Sequence, residues 1–65
     1  MKMKYYRQWK DCDEPQEITL AEMKRALSCI LRNVDLALAD MQKYKSEIRY
    51  QSMNAYYFAE GVLDA

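Results

Sequence analysis

The chain has no histidine and, in 65 residues, a single glycine and a single proline. Without histidine it lacks the side chain that ordinarily titrates near neutrality, and with it the commonest general base and nucleophile activator. One glycine, Gly61, cannot build a glycine-rich phosphate cradle. Two cysteines, Cys12 and Cys29, are too few for a disulfide framework and are expected as reduced thiols. No apolar run reaches the length of a membrane span, and the N-terminus lacks the apolar core and cleavage site of a secretory signal. The chain is therefore expected in the cytoplasm, away from membranes. Ten basic and ten acidic residues cancel, leaving no global field to attract a polyanion.

What the sequence has is an apolar repeat. Half of its residues are hydrophobic, too many for intrinsic disorder. Taking Leu20 as position a of a heptad, Leu27, Val34, Met41, Ile48, Ala55 and Val62 follow in register. The d positions are Met23, Ile30, Ala37, Tyr44, Gln51 and Phe58, of which Gln51 alone is polar. Pro15, the one helix-breaking ring, lies upstream of all of them. The spacing predicts an all-α chain with one long amphipathic helix over about 20–60, some 60 Å long at roughly 1.5 Å per residue. Such a helix has an apolar edge that a short chain cannot cover, so it is expected to self-associate as a coiled coil or helical bundle, a homodimer first. A helical hairpin with a turn near 43–47 is the alternative, since Lys43 to Asn54 is the weakest part of the stripe.

Local signals support a helix start at Leu20. Thr19 can cap it with Glu22 completing a capping box, and Ile18 and Met23 can form a hydrophobic staple. Gly61 is suited to end it in a Schellman turn. The chain then divides into a basic aromatic arm (1–10), an acidic loop (11–18) and the long helix (19–61), within one small domain. The arm is read as irregular or extended, although its first residues alternate as an edge strand would.

Candidate sites follow from this reading. Leu20, Met23, Leu27, Ile30, Leu31, Val34, Leu38, Met41, Tyr44, Ile48 and Phe58 are expected at the oligomer interface. Tyr50, Met53, Tyr56 and Tyr57 face several directions, and aromatic and methionine side chains of this kind suit a partner-protein contact. In the arm, Tyr5, Tyr6 and Trp9 could stack on nucleobases while Lys2, Lys4, Arg7 and Lys10 neutralise phosphates, as single-strand binders do. The simpler alternative is that Trp9 and a tyrosine pack internally and the lysines pair with Asp11, Asp13, Glu14 and Glu17. Asp11, Asp13 and Glu22 match the first, third and twelfth places of a calcium loop, but Pro15 and Gln16 break it at the fifth and sixth. No catalytic, cofactor or metal site is therefore expected. The function expected is a small non-enzymatic interaction or regulatory module that binds itself and another protein, with a nucleic-acid-associated regulator as the alternative.

Overall fold

The structure, a computed structural model, describes residues 2–44 and 47–62. It is an α+β fold with four strands and two short helices among those residues. In chain order they are β1 (Lys2–Trp9), β2 (Gln16–Ile18), α1 (Leu20–Ile30), α2 (Val34–Tyr44), β3 (Arg49–Gln51) and β4 (Ala55–Val62). The strands form one antiparallel sheet in the order β2-β1-β4-β3, so the first and last strands pair at its centre and each carries a short edge strand.

The register explains how helices can sit close to this sheet. On one face the β1 residues Met3, Tyr5 and Trp9 lie opposite Gly61, Ala59 and Ala55 of β4. Each large side chain faces a small one, which leaves room for α1 and α2 to approach. The core fills that space: Tyr5 and Ile18 from β1 and β2, Met23 and Leu27 from α1, Ala37, Leu38 and Met41 from α2, and Ala55, Tyr57 and Ala59 from β4. Met23, Leu27 and Met41 are 0% exposed. Full burial of a side chain of this size contributes about 1.5–3 kcal/mol relative to leaving it in water. Met23 and Leu27 of α1 are four apart, and Ala37 and Leu38 of α2 are four and three before Met41, the separations that place side chains on one face.

The start of α1 forms as the sequence predicts. Thr19 has the extended conformation of an N-cap, and its Oγ1 accepts from the Glu22 backbone N–H at 3.1 Å. The reciprocal contact differs from a standard capping box, because Glu22 Oε1 accepts from the Thr19 hydroxyl, at 3.3 Å, rather than from its backbone N–H. Ile18 and Met23, the proposed staple pair, are both in the core.

The long helix over 20–60 does not form, and the all-α, coiled-coil and bundle expectations are corrected here. α1 ends at Ile30, and Leu31 takes an extended conformation with its N–H on the Leu27 carbonyl. Asn33 then starts α2: its Oδ1 accepts from Leu36 N–H at 3.1 Å, and its carbonyl accepts from Ala37 N–H. The next element after α2 is the strand β3, so the helical hairpin is corrected as well; its turn near Lys45 and Ser46 falls outside the described residues. Gly61 is in β4 and not in a helix cap. Within the arm, Lys2–Trp9 form a central strand, and the acidic loop contains β2. The longest dimension is 35 Å, well short of the rod that the heptads imply.

The apolar stripe that seemed to require a partner is largely covered by the chain itself. Of the residues expected at an oligomer seam, Met23, Leu27, Leu38 and Met41 are in the core and Phe58 is buried on the opposite face of the sheet. Ile30, Leu31 and Val34 pack partly buried against the core, and Ile48 is half-buried. Leu20 and Tyr44 are exposed.

Candidate functional site

The helices cover one face of the sheet, and the other carries an aromatic cluster. Because side chains alternate along a strand, Lys4, Tyr6 and Gln8 of β1 share the second face with Tyr56, Phe58 and Glu60 of β4. Glu17 of β2 lies opposite Tyr6, while Arg49 and Gln51 of β3 lie opposite Phe58 and Tyr56. One row therefore crosses the whole sheet as Glu17, Tyr6, Phe58 and Arg49. Tyr6 and Phe58 stack with centroids 5.4 Å apart and planes 21° from parallel. The Arg49 guanidinium lies 4.9 Å from the Phe58 centroid and 5.8 Å from that of Tyr56. Lys10 Nζ approaches the Tyr56 ring at 5.6 Å.

This packing buries Phe58 to 4% exposure without any helix over it. Tyr6 and Tyr56 stay half-buried and present ring surface to solvent. The rim is charged: Lys4 pairs with Glu17 at 3.5 Å, and Glu60 stands opposite Lys4 across the central strand pair. At the loop end, Gln8 Nε2 donates to the carbonyls of Cys12 and Asp13, fastening the turn between β1 and β2. The Lys10 N–H donates to the Asn54 carbonyl at 3.0 Å, which holds the two hairpin ends together beside Tyr56. The open face thus has an ordered aromatic centre, an arginine at its β3 edge and a charged rim.

The basic aromatic cluster of residues 2–10 is divided by the strand it forms. Lys2, Lys4 and Tyr6 lie on the open face by alternation, and Lys10 reaches it from the strand end. Tyr5, Arg7 and Trp9 are on the helix side, where Tyr5 is in the core. Arg7 lies 4.8 Å from the Trp9 ring, and Arg7 Nη2 and Trp9 Nε1 both donate to Gln16 Oε1. The C-terminal cluster is divided the same way: Tyr56 is on the open face, Tyr57 is in the core, and Tyr50, opposite Tyr57, packs against the core. Met53, in the turn between β3 and β4, is 87% exposed. Burial and, to a smaller degree, the negative charge of Asp40 raise the Tyr50 phenol above its usual 10.0.

Sequence reasoning missed Arg49, which ties Phe58 to Tyr56, and Glu17 as a member of the same row. The available signal was alternation: Tyr56, Phe58 and Glu60, and separately Arg49 and Gln51, recur at the two-residue period of a strand. Cys12 and Cys29 are both free and exposed. Among the described residues no group of three His, Cys, Asp or Glu side chains is placed to hold a metal ion. No described helix is long and apolar enough to cross a membrane. Comparison of the chain with protein-family models, curated proteins and solved structures gives no match.

Proposed function

We propose that the chain is a non-enzymatic, cytoplasmic interaction module that binds another protein on the open face of its sheet. The observation that supports this reading best is the row Tyr6, Phe58 and Arg49, extended by Tyr56, which runs from the central strand pair to the β3 edge of the open sheet face. Such rings lose little conformational freedom on binding, because neighbouring side chains already hold them. Tyrosine and arginine also dominate the energetics of protein interfaces. The balanced charge of the chain favours a protein over a polyanion, and the mixed signs around the rim give a partner both donors and acceptors. The absence of histidine in the sequence supports a non-enzymatic role.

The test compares proteins retained from a cell extract by the wild-type chain, by Tyr56→Ala, by Arg49→Ala and by Leu36→Ala. Leu36 is exposed on α2, across the sheet from the proposed face. One partner lost with both open-face variants and kept with Leu36→Ala is the expected result. Retention of every partner by Tyr56→Ala and Arg49→Ala would remove the reading.

A second reading rests on the positions of Lys10 and Arg49 about Tyr56, which could take a stacked base between phosphate contacts. It expects single-stranded oligonucleotide binding that weakens with salt and is lost in Lys10→Ala.

A further inference from the structure

On the helix side of the sheet, α1 and the β3–β4 turn border an open cleft of about 540 Å³. That is the size of pockets that hold small molecules. Ala26, Ile30, Met53 and Tyr57 supply apolar wall, and Arg7 and Arg25 are the basic residues of the lining. Glu22 is the acidic residue of the lining, so the cleft carries one net positive charge.

Arg7 has donors to spare. A guanidinium offers five N–H groups. Among the described residues one of them is used, in the 3.3 Å bond from Nη2 to Gln16, while its buried Nε has no acceptor. Neither arginine is in an ion pair with a described carboxylate. Their position beside an apolar wall suits a ligand whose charge meets the guanidinium groups while its hydrocarbon body covers the wall. The single net positive charge matches a monoanion better than a dianion, which Glu22 would repel.

From this geometry we infer that the cleft binds a small organic acid, one carboxylate on an aryl or alkyl body. The site is separate from the open face, because Arg7 and Tyr57 point to the helix side of the strands whose other face carries Tyr6 and Phe58. It does not depend on the protein-binding reading.

Cys29 lines the cleft and is exposed, whereas Cys12 is exposed elsewhere, so the two thiols give a reporter and an internal control. The experiment titrates 3-phenylpropionate into the full chain and follows the alkylation rate of each thiol together with the Met53 methyl resonance. The acid is expected to slow alkylation of Cys29 and not of Cys12, and to shift Met53. The neutral 3-phenylpropionamide and inorganic phosphate alone are each expected to bind at least tenfold more weakly. Arg25→Gln tests the charge without disturbing the core, since Arg25 is exposed, and is expected to weaken the acid tenfold or more. Arg7→Gln should do the same, but Arg25→Gln decides the matter because Arg7 also packs on Trp9. The inference is overturned if the amide or phosphate binds as tightly as the acid, if Arg25→Gln leaves the affinity unchanged, or if a saturating concentration of acid leaves Cys29 unprotected.

Discussion

Leu20 and Leu27 are successive a positions of the apparent heptad, and in a coiled coil truncating either would cost a similar amount. The structure separates them: Leu27 is 0% exposed and Leu20 is 42% exposed. Leu27→Ala loses the transfer free energy of the deleted carbons and opens a cavity between α1 and the sheet, together roughly 3–5 kcal/mol. Leu20→Ala removes carbons that already touch water and leaves no cavity, for about 1 kcal/mol. A domain of this length has roughly 3–10 kcal/mol of stability in all, at about 0.05–0.15 kcal/mol per residue. Leu27→Ala should therefore bring the chain close to unfolding, or lower the thermal midpoint by about 12 °C or more, while Leu20→Ala lowers it by only a few degrees. Urea and thermal unfolding by circular dichroism, with each variant measured at two well-separated protein concentrations, provide the readout. Equal losses at the two positions, or midpoints that climb with protein concentration, would show that the stripe is covered by another molecule.

Other consequences are equally specific. Thr19→Ala and Asn33→Ala each remove a side-chain acceptor from a helix start and should each cost about 1 kcal/mol. A chain indifferent to Asn33→Ala would argue that α1 and α2 are one helix. Tyr50 stays neutral in the fold to a higher pH than in the unfolded chain, so its stabilising contribution is complete below pH 10.0 and is lost as pH rises through the folded value. Thermal midpoints on the alkaline side should then fall less steeply in Tyr50→Phe, and an unchanged slope would remove Tyr50 from the account. Tyr6→Ala uncovers Phe58 and should increase binding of a hydrophobic dye, with a stability loss near 1 kcal/mol for the lost ring pair beyond its area. No increase in dye binding would mean that Phe58 is covered from elsewhere.

The sequence was most legible where a local device set the conformation. Thr19 and Glu22 mark the start of α1, and Met23, Leu27, Ala37 and Met41 of the apolar stripe are buried, though in this chain's own core and not at the oligomer seam expected of the stripe. The heptad misled because steps of three and four along a strand land on both of its faces. Ala55 and Phe58 look like neighbours on a helix, yet one is under the helices and the other on the open side. A strand that is apolar on both faces has no clean alternation, so the run Tyr56-Tyr57-Phe58 could be read either way. The breaks were hidden by the scarcity of glycine and proline. In this chain asparagine takes over that punctuation: Asn33 caps α2, and Asn54 ends the turn in which Ser52 Oγ accepts from the Ala55 N–H. The candidate site was legible as composition but not as geometry, because pairing β1 with β4 requires a contact between the two ends of the chain.

That end-to-end pairing is the claim on which the rest stands, and nuclear magnetic resonance tests it directly. Carbon secondary shifts over residues 55–61 should be those of a strand, with a cross-strand contact between the backbones of Tyr5 and Ala59. Helical shifts through the same residues, with no contact to Tyr5, would contradict the fold and the binding face built on it.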